Sequence, residues 1–176
     1  MSLFDARFVP GRRRLSRSER SRQLLATPAA LWDVIVDPFQ MTRWWPGVAR
    51  VEAVDEERFT LVFQTKRKRT VRMDFRVLVS HAPGSEGEAA GRRAWEQEVS
   101  GTPFERVLDQ SITEVLLDPA HGAATQVTIA QDQKLRGYSR TGALLLRRAT
   151  DKRLDEALDA LEQLVSNHGA GARTPG

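Results

Sequence analysis

The histidines are the first candidates for chemistry in this chain of 176 residues: His81, His121 and His168. Each falls in a stretch read as a loop or a helix end. No pair stands at the i, i+3 or i, i+4 spacing that puts two imidazoles around one metal ion. Cysteine is absent, which excludes disulfides, thiolate nucleophiles and cysteine metal sites. Ser111 has no obvious histidine partner and no Gly-x-Ser-x-Gly elbow occurs, so nucleophilic catalysis has no support. No metal and no cofactor is expected.

Acid–base work needs a titratable group in a dry pocket. Asp109 and Glu114 lie on a strand of ambiguous facing, and either could point inward as a weak catalytic candidate. The other inward-facing polar residues are amides: Gln97, Gln131 and Gln133. Amides orient a ligand carbonyl or hydroxyl but cannot act as bases at neutral pH. An apolar hollow with a few placed amides is the usual make-up of a small-molecule site. The residues expected to bind a ligand are Trp44, Phe63, Met73, Phe75, Trp95, Gln97, Gln131 and Leu146.

The elements that must position these residues are legible in outline. Ser139 to Ser166 reads as one long helix. Ser139 or Thr141 offers an N-cap, and Asn167-His168-Gly169 offers a stop. Leu154, Ala157, Leu158, Leu161, Leu164 and Val165 form an apolar stripe at spacings of three and four. Traced backwards, the stripe meets Thr150, Ala149, Leu146 and Ala143, and small residues there leave either close packing or the roof of a cavity.

Almost everything before this helix reads as strand. Glu19 to Ala26 is the first. Thr27-Pro28 and Asp37-Pro38 are each a helix start, a capping side chain followed by proline at the first helical position. They open two short helices, Ala29 to Val36 and then a second through Trp44. Trp44 and Trp45 as helix neighbours would sit ~100° apart, so one is expected inward and the other near the surface or a cavity mouth.

The following strands are Val48 to Val54, Phe59 to Gln64, Val71 to Val79, Arg93 to Ser100, Phe104 to Leu117 and Thr125 to Leu135. Val71 to Val79 alternates most cleanly between apolar and charged residues. Phe104 to Leu117 needs a β-bulge in its middle to reconcile its two apolar sets. His81 to Gly91 is a mobile loop.

Hydrophobic residues make up 40% of the chain, enough for one domain with its own core. No apolar run reaches the ~20 residues of a membrane span, and Met1 to Pro10 has no apolar core of signal-peptide length. The expectation is a soluble cytoplasmic protein, and the Arg- and Ala-rich usage resembles that of GC-rich bacterial genomes. Net charge is +4. Arginines crowd the start, including Arg12, Arg13 and Arg14, and Lys66-Arg67-Lys68-Arg69 forms a second cluster. Such clusters suit an anionic membrane surface. Neither carries the interleaved aromatics of a base-stacking surface, which argues against nucleic acid. Residues 1–17 read as a basic flexible arm, 18–168 as the folded domain and 169–176 as a disordered tail.

In element order, and in four stretches, the chain resembles the SRPBCC superfamily. This is the helix-grip fold of START lipid-transfer domains, birch-pollen-allergen-like proteins and the polyketide cyclase/dehydrase group. The stretches are Thr27-Pro28-Ala29-Ala30-Leu31-Trp32 with Asp37; Arg43-Trp44-Trp45-Pro46; Trp95 through Gly101-Thr102-Pro103-Phe104-Glu105; and Ala124-Thr125-Gln126-Val127-Thr128. The resemblance implies an α+β fold. A curved antiparallel sheet of about seven strands, with two short helices after the first, wraps around the long C-terminal helix. It also implies a deep apolar cavity between them.

The chain lacks the glycine-rich loop of the plant allergens and the ligand sets of Rieske oxygenases. The leading expectation is therefore binding or transport of a hydrophobic small molecule such as a lipid, isoprenoid quinone or polyketide, without catalysis. An alternative is an aromatase/cyclase-like enzyme acting on a polyketide through Asp109 or Glu114. Another is a membrane-surface or partner adaptor using the Arg-rich arm.

Overall fold

The computed structural model describes residues 15–64, 68–84, 89–136 and 140–171. Arg12, Arg13, Arg14, Lys66, Arg67 and residues 172–176 lie outside them. Strand β1 runs Leu15–Leu24, so it begins inside the stretch expected to be an arm. Helices α1 (Pro28–Val36) and α2 (Met41–Trp44) follow, joined by a 3₁₀ turn at Pro38–Gln40. Both start signals operate as expected. Thr27 Oγ1 accepts from the Ala30 N–H at 3.3 Å, and Asp37 Oδ1 accepts from the Phe39 N–H at 2.9 Å.

The remaining strands are β2 (Val48–Glu52), β3 (Arg58–Gln64), β4 (Thr70–His81), β5 (Gly91–Gln97), β6 (Leu108–Pro119) and β7 (Thr125–Leu135). Helix α3 spans Arg140–Gly171, about 48 Å. It therefore passes through Gly169, the expected stop. A glycine inside a helix costs only about 1 kcal/mol, so it does not by itself end one.

The sheet order is β1-β7-β6-β5-β4-β3-β2, antiparallel throughout. The short helices carry the chain from one sheet edge to the other. A meander of hairpins then returns it to β1, and α3 lies against β1 and β7. This is the expected α+β helix-grip arrangement.

Two aromatic pairs anchor the core. Phe59 and Phe75 stack at 5.4 Å, and Trp95 meets Trp45 edge-on at 5.8 Å. Leu154, Ala157, Leu158 and Leu161 of α3 close over the same cluster. Trp44 and Trp45 are both buried, which corrects the expectation that one lies near the surface. The helix ends between them. Trp45 is its C-cap with extended backbone (φ −89°, ψ 118°), so the helical angle does not apply and the rings meet edge-to-face at 5.4 Å.

The expected strand from Phe104 also needs correction. Residues Pro103–Arg106 form a 3₁₀ turn capped by Thr102. The register shift of β6 falls at Leu108/Gln110, at its start rather than its middle. That extra residue switches the parity. Leu108 faces the helix side together with Ser111, Thr113, Val115 and Leu117, while Ile112, Glu114 and Leu116 take the outer face.

The basic residues of β1 are structural. Arg20 bridges Asp151 and Asp155 of α3, each at 3.1 Å, and Arg22 bridges Asp159 and Glu162. Arg17 pairs with Asp132 at 2.6 Å on the neighbouring strand. The contacts of Arg20 and Arg22 strap the long helix to the sheet edge.

Candidate functional site

The C-terminal half of α3 sits on packed core, but its N-terminal half does not. There a small satellite cluster of Val99, Leu108 and Leu135 packs with Phe104, Val107 and Leu146. Between the two clusters lies a cavity of about 280 Å³. The sheet contributes Met73 from β4, Gln97 from β5, Leu108 from β6, and Gln131 and Gln133 from β7. The 3₁₀ turn adds Phe104 and Val107. The helix roofs it with Leu146, Ala149, Thr150 and Arg153. The helical spacing of three, one and three places those four residues on one face.

The polar groups of this cavity are incompletely matched. Gln131 Nε2 donates to Ser111 Oγ at 3.2 Å, and Thr150 Oγ1 donates to Gln133 Oε1 at 3.3 Å. Gln97 Nε2 and Gln131 Oε1 are buried with no hydrogen-bond partner among the described residues. Their side chains are 8% and 7% exposed. A buried unmatched donor or acceptor costs about 1–3 kcal/mol, so one free donor and one free acceptor in the same hollow form a preset pair of contacts for a bound molecule.

Arg153 stands at the rim. It is accessible to water, yet enough atoms crowd it that desolvation draws its pKa below the ordinary arginine value, with Glu156 opposing.

Of the residues expected to bind a ligand, Met73, Gln97, Gln131 and Leu146 meet at this cavity. Trp44, Phe75 and Trp95 are instead buried in the main core, and Phe63 packs against it. The aromatics fill their own end of the sheet and leave the hollow at the other. Arg153, Phe104, Val107 and Leu108 were not anticipated. Position 153 does continue the stripe from Leu146 and Thr150, and only its charge hid it.

Asp109 and Glu114 do not line the cavity. Glu114 is on the outer sheet face, where Arg92 Nε donates to it at 2.6 Å. Asp109 sits at the bulge and accepts from Arg136 at 2.7 Å. Among the described residues no cluster of histidine and carboxylate side chains is arranged to hold a metal ion. No described helix is long and apolar enough to cross a membrane.

A second depression, about 480 Å³, lies between α1, α2 and the end of α3, lined by Ala30, Val34, Arg43 and Leu164 among others. It is larger, but none of its described lining residues carries an unmatched buried polar atom. The smaller cavity is the stronger candidate because it alone holds the two unmatched glutamine atoms.

Residues 16–166 match the family described as polyketide cyclase / dehydrase and lipid transport. The chain belongs to this family. That membership places it in the SRPBCC superfamily, as the sequence pattern implied.

Solved structures repeat the fold. The Zhui aromatase/cyclase of a Streptomyces species superposes with a TM-score of 0.71 at 14% identity, covering 92% of this chain and 100% of that one. A START superfamily protein of Mycobacterium smegmatis gives 0.63 at 10% identity, covering 86% and 97%. The di-domain ARO/CYC protein BexL gives 0.68 at 20% identity, covering 86% of this chain but 46% of BexL, so the chain spans about half the length of that protein. A comparison with curated protein sequences gave no match.

Proposed function

We propose that this family member binds a small, mainly apolar molecule in the cavity beneath the N-terminal half of α3, as a carrier or binder without chemistry of its own. The observation that supports this most is the pair of buried, unmatched amide atoms on Gln97 and Gln131. Met73, Phe104, Leu108 and Leu146 supply apolar contact around them. Arg153 is the sole titratable side chain among the described lining residues, and arginine holds its proton at neutral pH. The wall therefore offers recognition groups and no general base.

Native mass spectrometry of the purified chain, with organic extraction, tests the reading. A co-purifying apolar molecule is expected, and adding it back to stripped protein should raise the melting temperature. Stripped protein that gains no stability from any member of a broad panel of small apolar ligands would refute the proposal.

The aromatase/cyclase reading has the family description behind it. It also requires a carboxylate in the cavity, and Asp109 and Glu114 are each engaged by an arginine elsewhere. Turnover of a polyketide substrate that is lost in both Asp109→Asn and Glu114→Gln would revive it.

A further inference from the structure

Arg153 is out of pattern where it stands. It follows Leu146 by seven and Thr150 by three residues, and Leu154 and Ala157, just beyond it, are fully buried. An apolar or small residue is what this face of α3 carries elsewhere.

The carboxylates of the helix are matched. Asp151, Asp155, Asp159 and Glu162 are held by Arg20 and Arg22. Glu156, whose field acts on Arg153, is itself 3.6 Å from Lys152 Nζ. Among the described residues Arg153 makes no hydrogen bond or ion pair of its own. The cavity thus presents three unmatched recognition groups: a donor on Gln97, an acceptor on Gln131 and a cation at the rim.

The chemistry of a fitting molecule follows from these groups and from size. A volume of about 280 Å³ is just under the ~300–1,000 Å³ of common ligand pockets. It holds roughly nine water volumes, which suits a body of about a dozen non-hydrogen atoms better than a long acyl chain. One guanidinium balances one negative charge, and its planar fork matches a carboxylate. A phosphate monoester would carry close to a second, unanswered charge.

We propose that the cavity is selective for compact hydroxylated carboxylic acids. The apolar body lies against Met73 and Phe104, a hydroxyl or carbonyl engages Gln97 and Gln131, and the carboxylate meets Arg153 at the mouth. This rests on the reading of the cavity as a ligand site and adds the ligand class.

The test compares para-hydroxyphenylpropanoate with its uncharged methyl ester, by titration calorimetry or NMR on the full chain. The wild type is expected to bind the acid about fivefold more tightly, the size of a partly exposed charge-assisted contact. Arg153→Gln should remove that preference by weakening the acid more than the ester, and Gln97→Leu should weaken both. Arg153 is at the rim, so Arg153→Gln is expected to fold as the wild type does.

Equal binding of acid and ester to the wild type would overturn the carboxylate assignment and leave the ligand site standing. A preference retained in Arg153→Gln would overturn the role of Arg153. Binding of neither probe would overturn the ligand reading and this inference with it.

Discussion

Replacing Gln97 by leucine should stabilise the protein while it damages binding. Gln97 Nε2 is buried without a partner, so the native state carries a desolvation cost of about 1–3 kcal/mol that leucine does not incur. The residue is 8% exposed and lines the same cavity as Met73, so leucine exchanges an amide for apolar contact at similar size. Taking about 1–2 kcal/mol as the net gain, a chain of this length should melt about 2–8 °C higher.

Gln131→Leu serves as the internal contrast. It also removes an unmatched atom, Oε1, but it breaks the 3.2 Å bond from Nε2 to Ser111, which is itself 3% exposed. One orphan is exchanged for another, and the lost bond adds about 1 kcal/mol against the variant. Gln131→Leu should therefore be neutral to about 1 kcal/mol destabilised. Urea denaturation of ligand-free protein decides the matter, through a shift of midpoint at constant slope. A lower midpoint for Gln97→Leu, or equal shifts for the two variants, would show that the unmatched amide on Gln97 is not a cost in the native state.

Three further outcomes are expected. Trp95→Ala removes a side chain 1% exposed, in edge contact with Trp45 and Phe59, and should cost about 3–5 kcal/mol in urea; a loss under 1 kcal/mol would contradict its place at the centre of the core. Arg20→Ala with Arg22→Ala removes the strap between β1 and α3. Both arginines are about a third exposed, so water discounts each pair to about 0.2–1 kcal/mol, and the difference from wild type should shrink in ~1 M salt. A salt-independent loss would mean that packing, not charge, holds the strap.

Burial raises the pKa of Asp132, and the neighbouring Arg17 only partly opposes this. The folded state then holds this proton more tightly than the unfolded chain. Stability should fall as pH rises from about 3.9, the unfolded aspartate value, through the folded pKa. Asp132→Asn should flatten that part of a curve of urea midpoint against pH, and an unchanged slope would refute the assignment.

Much of the architecture was legible because it rests on local rules. Thr27-Pro28 and Asp37-Pro38 announce helix starts through contacts spanning two or three residues. The alternation of Val71 to Val79 appears in β4. The amides at Gln97, Gln131 and Gln133 reach the helix side of the sheet because a strand repeats every two residues.

The misreadings arose where one residue altered the local geometry. Trp45 leaves the helix by a single backbone step, and the shift at Leu108/Gln110 reverses the faces of β6. Ambiguous sequence parity could not say which face Glu114 would take, and the bulge turned it outward to Arg92.

By itself the sequence determined the elements, their order and the superfamily, since periodicity, capping and turn chemistry act within a few residues. It also put Gln97, Gln131 and Gln133 on the inward face of the sheet and left no cysteine anywhere in the chain. Only the tertiary structure decided where the hollow lies. The aromatics of β3, β5 and the turn after α2 pack against one another and fill one end of the sheet, and that is a property of their joint volumes. Only the folded chain showed that Gln97 and Gln131 are left unmatched, and that Arg153 stands over them without an ion-pair partner among the described residues. A side chain's satisfaction depends on every neighbour brought to it, and those neighbours come from strands and a helix far apart in the chain.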